Sequence, residues 1–237
     1  MEMTRRQALA GGIAAMASVA GVGDVVRGNV GARRMSMAGS GSDAEAMLNN
    51  WLDFFANGYL MTQFEDDSIV ELGVPLFQGG ITGTSPISVS FSSLKRVLTR
   101  NVFYTSRMVS LSCPVLTEIY GAQQFQGSSY LETVDLPSLT YIENFNWWFW
   151  NCPRLKVVNL GQVSEIHGAS NVSFGQYDSA LEDVYLLAMN ASTLLSYTGM
   201  LTSATTGNYT PHQIVFHCAD GNVVWSDDAN NWVKIPV

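Results

Sequence analysis

The chain has 237 residues and a mass of 25.8 kDa, enough for one large domain or two small ones with a substantial core. Hydrophobic residues make up 47% and charged residues 14%, which excludes a disordered chain because disorder requires low hydrophobicity and high charge. The net charge of −8 argues against a nucleic-acid partner, since phosphate neutralisation needs a basic face. The sequence contains no uninterrupted apolar run of about 18 residues, so it does not predict a membrane-spanning helix.

The first 42 residues are the basic part of an acidic protein. They hold five arginines against two acidic residues, a local charge of +3, so the remainder of the chain carries −11. Arg5 and Arg6 precede a weakly apolar Ala/Gly stretch, with Thr4 before them and Leu9 three residues after them. This arrangement resembles a twin-arginine export signal.

A second interpretation of this segment is a small-residue amphipathic helix that is never removed. Residues 1–42 would then dock the protein into a larger assembly, such as a virion. The stretch from Arg27 to Ser42 is rich in Gly, Ser and Met and is typical of a flexible linker under either interpretation.

Residues 43–63 predict an N-terminal capping helix. Ser42 and Glu45 have the spacing of a capping box, and the apolar residues that follow fall on one helical face: Met47, Leu48, Trp51, Leu52 and Phe55. A helix here would cover the open apolar end of a repeat array.

A repeated apolar pattern runs from residue 64 to residue 187. Its clearest unit is Leu131-x-x-Val134-x-Leu136-Pro137-x-Leu139-x-x-Ile142, followed by Phe149-x-x-Cys152-x-x-Leu155. New units begin at Leu155 and Leu181, after steps of 24 and 26 residues. The Val-x-Leu piece predicts a short strand with one inward face. One turn cannot bury its apolar face alone, so about five turns are predicted to stack into a solenoid with a parallel β ribbon.

The order of strand, Pro-led turn, Ile, aromatic and Cys resembles the BspA-like leucine-rich repeats of bacteria. Two positions depart from that pattern, because Trp148 replaces the usual Ala before the aromatic and only Cys152 fills the Cys position. The resemblance covers roughly half of the chain. It implies an α/β repeat fold, a short leucine-rich-repeat solenoid used for binding in secreted, cell-surface or phage-borne proteins, with no catalytic residue and no cofactor.

Residues 188–237 predict a C-terminal cap. A capping helix or loop follows Leu187, and apolar runs on either side of Asp220-Gly221 predict a β-hairpin. The stretch from Trp232 to Val237 predicts a third strand.

Chemistry-bearing clusters are sparse. His217 and Cys218 form the one close Cys/His pair, but adjacent residues of a strand point to opposite faces. The three histidines and three cysteines lack zinc-ligand spacing, and the run Glu65-Asp66-Asp67 is more typical of a solvated turn than of a calcium site. We therefore predict no enzyme activity, no catalytic residue, no metal and no cofactor.

Aromatic residues crowd the stretch from Phe145 to Trp150. Phe149 occupies the core position of the repeat, and Trp148 and Trp150 on either side are predicted to point outward if the segment is extended. Exposed tryptophans are common at binding hot spots and stack on sugar rings, although the wide side of a coil also needs bulk. The candidate binding surface consists of Tyr141, Trp147, Trp148 and Trp150.

These observations predict a non-catalytic leucine-rich-repeat binding protein, a secreted or cell-surface bacterial adhesin that recognises a protein or a glycan. We predict no nucleic-acid partner and no integral membrane span. The alternative is a phage tail or baseplate component, located in the virion, that contacts a receptor or serves as a spacer.

Overall fold

The computed structural model describes residues 34–37, 63–67, 69–73, 86–104, 107–168, 174, 180–203 and 213–236. These residues are mostly β structure. In chain order the strands are β1 (Arg34–Met37), β2 (Gln63–Asp66), β3 (Glu71–Leu72), β4 (Ile87–Phe91), β5 (Arg96–Val97), β6 (Met108–Ser112), β7 (Glu118–Ile119), β8 (Thr133–Asp135), β9 (Tyr141–Ile142), β10 (Val157–Asn159), β11 (Asp183–Leu186), β12 (Val215–Cys218), β13 (Gly221–Ser226) and β14 (Asn231–Ile235). Two short helices, α1 (Ala191–Ser196) and α2 (Thr198–Ser203), lie between β11 and β12.

Two sheets run along a solenoid. The larger has ten strands in the order β1-β2-β4-β6-β8-β10-β11-β12-β13-β14, and the smaller has four in the order β3-β5-β7-β9. All pairs are parallel as far as β12. One inward-pointing residue of each strand from β2 to β12 of the large sheet is buried, and together they form one aligned row: Phe64, Val89, Leu111, Val134, Val158, Val184 and Phe216.

A ladder of phenylalanines closes the third side of the coil. Phe103, Phe125, Phe149 and Phe174 stack with ring centroids 5.3, 5.2 and 5.7 Å apart. Three residues after Phe149, the Cys152 thiol donates to the Phe125 carbonyl, and the Ser128 hydroxyl donates to the Phe103 carbonyl in the turn before. Ser and Cys can both occupy this position of the repeat, because either side chain can donate a hydrogen bond to the preceding turn.

The predicted repeat solenoid is confirmed, whereas the α/β class overstates its helix content. Within the described residues, β strands and bends build every turn, and both helices follow β11. About four turns carry a strand in both sheets, not the five expected, because the small sheet ends at β9. Val163 and Ile166 remain buried beyond that point, so apolar burial continues where regular pairing stops.

The N-terminal predictions meet the structure at two places. Within the expected linker, Arg34–Met37 forms β1 and pairs with β2 at the sheet edge, so the linker interpretation is wrong for these four residues. The predicted capping helix lies outside the described residues except for Gln63, which begins β2. No helix of the described residues combines the length and apolarity required to cross a bilayer.

The C-terminal region extends the sheet before it turns back. β12, expected as the first strand of a hairpin cap, pairs in parallel with β11 and then antiparallel with β13. The bend is formed by Ala219 and Asp220, and Gly221 begins β13 with φ at +142°. A Cβ there would lie 2.7 Å from the Ile235 carbonyl oxygen, so the close approach of β14 requires glycine.

Candidate binding surface

A left-handed residue lies two positions before Phe103, Phe125 and Phe149 of the ladder. Asn101, Gln123 and Trp147 have φ of 61°, 62° and 61°. Asn adopts this conformation at low cost, whereas Gln and Trp, like most L residues, pay roughly 1–2 kcal/mol there because of their Cβ. The backbone of the turn imposes this geometry, since the Gln123 amide donates to the Asn146 carbonyl of the next turn at 2.9 Å.

Trp147 and Trp150 form an aromatic pair at the surface, which we call the tryptophan pair. Their ring centroids lie 5.6 Å apart at 66°, and both side chains are partly exposed. Asn151, directly after the pair, is also left-handed. Left-handed residues at 147 and 151 thus hold the chain in a tight bend that presents both indoles.

Trp148 does not belong to the surface, which corrects the sequence prediction. Its side chain is fully buried, and its indole Nε1 donates to the Asn144 carbonyl at 2.7 Å. The same position in the preceding turn holds Gln124, whose Nε2 donates to the Tyr120 carbonyl at 3.0 Å. Strand-like alternation fails here because residues 146–148 form a bend with left-handed Trp147, so Trp148 and Phe149 both face the core.

Tyr141 lies on a different surface from the tryptophan pair. It is partly exposed on β9 and lies between Tyr120 and His167, with ring centroids 5.5 and 5.6 Å away. We call these three residues the tyrosine ladder. Tyr141 shares no ring contact with Trp147 or Trp150, so the structure divides the candidate surface into two patches.

Sequence reasoning missed Tyr120 and His167. The repeat alone does not align the two tyrosines, because Tyr141 is paired in register with Glu118 and Tyr120 lies two residues further along the chain. The Tyr120 hydroxyl donates to Glu118 Oε2 at 3.1 Å. This hydrogen bond to a carboxylate raises the pKa of Tyr120 above its ordinary value.

The remaining candidates are accounted for by the fold. His217 and Cys218 point to opposite faces of β12, as the sequence predicts. Asp66 is buried, and its Oδ1 accepts a hydrogen bond from the Ile69 amide at 2.9 Å, a structural role for part of the acidic run. Within the described ranges, no group of three or more His, Cys, Asp or Glu side chains is placed to hold a metal ion.

No protein-family profile matches this chain, and neither a curated protein nor a solved structure matches it. Function is therefore inferred from the geometry of the described residues. Among the predicted surface residues, Trp147 and Trp150 are both partly exposed and in ring contact with each other.

Proposed function

We propose that this chain is a non-catalytic BspA-like leucine-rich-repeat protein, secreted or displayed on a bacterial cell surface, that binds a protein or a glycan through the tryptophan pair. The observation that carries the proposal is the left-handed backbone of Trp147. The equivalent positions of the two preceding turns hold the polar residues Asn101 and Gln123, so Trp147 is the large aromatic residue among the three.

Backbone strain of this kind persists where the surrounding structure enforces it, and it concentrates at functional sites. A buried tryptophan would offset the strain through core packing, but Trp147 is only partly buried. Binding energy from a partner would offset the backbone cost at Trp147. Tryptophan also supplies a large rigid contact area at low entropic cost, as binding hot spots require.

The leucine-rich-repeat assignment is supported by repeat spacing and inward residues. The leucine, valine and phenylalanine positions of the pattern are buried in successive turns, and the Cys position donates to the preceding turn. Such repeats stack into extended surfaces suited to binding.

Substitution of Trp147 by Asn separates binding from folding. The purified full chain and Trp147→Asn would be compared on immobilised extracellular-matrix proteins, mucins and glycans by surface plasmon resonance. We expect the variant to lose about thirtyfold in affinity for the strongest binder, as loss of a hot spot does. The free energy of unfolding should stay within about 1 kcal/mol of the original, because relieved strain offsets lost ring contacts.

Gln123→Asn is the matched control, since it makes the same residue at the same position of the neighbouring turn. It should leave binding unchanged. Equal affinity of Trp147→Asn and the parent chain would contradict the proposal. A large loss of stability in the variant would also contradict it, if the fraction that remains folded binds with the affinity of the parent chain.

The location within the cell or virion is a separate part of the proposal. Edman sequencing and intact mass of protein recovered from its native source would show loss of about 17 to 23 residues if the twin-arginine segment is an export signal. A chain that still begins near Met1 and is recovered with virions would favour the phage component instead.

A further inference from the structure

The outward face of the large sheet carries a second set of aligned residues, independent of the tryptophan pair. One row, on the strands from β2 to β12, consists of Glu65, Ser90, Ser112, Asp135, Asn159, Tyr185 and His217. Four of these side chains are short and polar. Tyr185 and His217 are the large ring-bearing side chains of the row, and they are adjacent.

Tyr185 is held upright by its neighbours. Its ring stacks on the His217 ring with centroids 4.4 Å apart and planes 10° apart. His217 Nε2 lies 2.7 Å from Asp183 Oδ1 on the adjacent strand. The centroid separation is close to the spacing between neighbouring strands, so one face of Tyr185 is covered by His217 while the other faces β10.

On the side of Tyr185 that points towards β10, the outward row consists of short polar side chains. We call this group the polar floor: Ser90, Ser112, Asp135 and Asn159. Within it the Asn159 Nδ2 donates to Asp135 Oδ1 at 2.8 Å, and Asn159 Oδ1 accepts from the Gly161 amide. The amide and carboxylate are therefore fixed in orientation. At about 4.8 Å per strand, the floor extends for roughly 15–20 Å, the length of a short oligomer.

We infer that this face is a binding site for an uncharged oligosaccharide. The apolar face of one pyranose ring would stack on Tyr185, and the hydroxyl groups would hydrogen-bond to Asp135 and Asn159. An aromatic wall beside oriented carboxylate and amide groups matches the two chemical faces of a sugar, one of C–H groups and one of hydroxyls.

The charge of the face selects among glycans. The outward-facing residues of the described strands from β2 to β12 include the acidic residues Glu65, Asp135 and Asp183. They include no lysine and no arginine. Sulfated, sialylated or uronic-acid glycans would meet like charge. A protein partner would find few large apolar anchors on the serine-rich half of the face.

The experiment applies the folded full chain to an immobilised array of neutral gluco-, galacto- and manno-oligosaccharides, with their sulfated and sialylated counterparts alongside. Calorimetry with the strongest neutral binder then compares Tyr185→Ala with Tyr185→Phe. We expect about a tenfold loss of affinity for Tyr185→Ala, whereas Tyr185→Phe keeps the ring and should stay within about twofold.

Tyr130→Ala is the control, because it removes another partly exposed tyrosine that lies outside the strands of both sheets, and it should bind the same oligosaccharide unchanged. Three results would overturn the inference: no neutral oligosaccharide is bound, anionic glycans or immobilised proteins are preferred, or Tyr185→Ala binds like the parent chain. Trp147→Asn is measured alongside. If Tyr185→Ala binds the oligosaccharide like the parent chain while Trp147→Asn abolishes binding, the result supports the proposed function and contradicts the site on the sheet face.

Discussion

Single residues in this protein often take their role from the turn that precedes them along the solenoid. Trp148 and Gln124 are chemically unlike, yet each is buried and donates to the carbonyl four residues before it. Cys152 and Ser128 likewise donate to the carbonyls of the preceding turn. The repeat position thus requires a donor and a volume, and several residue types satisfy both.

The three cysteines allow a test at this scale. Cys113 and Cys152 are fully buried and Cys218 nearly so, and burial raises the pKa of the Cys218 thiol to about 11. We expect iodoacetamide at about pH 8 to leave all three unmodified in the folded protein and to modify them in guanidinium. Mass spectrometry after timed quenching would measure this, and rapid labelling of the native chain would contradict it.

A pH dependence of stability follows from the same thiol. Unfolded Cys218 ionises near its ordinary pKa of about 8.5, below its folded pKa of about 11. Its stabilising contribution is therefore complete below about pH 8 and declines as pH rises towards 11. Urea titrations should show a shallower decline over this window for Cys218→Ala than for the parent chain, and identical slopes would count against it.

At the scale of elements, tight contact between successive turns makes some bends intolerant of a side chain. Gly161, two residues after the end of β10, has φ at +38°, and a Cβ there would lie 2.0 Å from the Pro137 carbonyl oxygen of the preceding turn. Pro137 occupies the equivalent position one turn earlier, so the two bends stack backbone on backbone.

Gly161→Ala should therefore lower the free energy of unfolding by at least about 2 kcal/mol. Gly73→Ala is the matched control, because a Cβ at Gly73 meets nothing within 4 Å, and it should change stability by no more than about 0.5 kcal/mol. Chemical denaturation of both variants measures the difference. Equal effects would show that contact between the bends is not what requires glycine.

At the scale of the molecule, the solenoid is a chain of nearest-neighbour contacts that ends in an antiparallel unit. Asp220 ties this unit together, because its Oδ1 accepts from the Ala191 amide that begins α1 and its Oδ2 lies 2.6 Å from Lys234 Nζ. Trp232 on β14 packs against Phe216, with ring centroids 5.2 Å apart, and its Nε1 donates to the Leu201 carbonyl.

Because stability in stacked repeats is a sum over neighbours, substitutions should act according to their place along the coil. Trp232→Ala is expected to raise amide hydrogen exchange in β11 to β14 and to leave β6 and β8 protected. Phe125→Ala, which removes a ring stacked on both sides, should reduce protection throughout the solenoid. Exchange followed by mass spectrometry measures both, and a uniform response to Trp232→Ala would indicate a single cooperative unit instead.

Much of the architecture is predictable from local patterns. The inward Val-x-Leu positions and the ladder phenylalanines were predicted correctly, since alternation and period depend on neighbours in the chain. The surface was predicted less well. Tyr141 and the tryptophan pair were grouped as one surface and lie apart, and Trp148 was placed outward, because the left-handed bend at Trp147 has no strong sequence signal.

The sequence by itself determined the repeat and the inward face of the strands within it, because these follow from steric and hydrophobic constraints within one turn. Only the tertiary structure decided which outward residues become neighbours. Successive inward residues are separated by 22, 23, 24, 26 and 32 positions from Val89 to Phe216 and still pair with one another, so the length of the turns varies. The contact of Tyr185 and Asp183 with His217, more than thirty residues away, exists because β11 and β12 pair across the longest of these intervals.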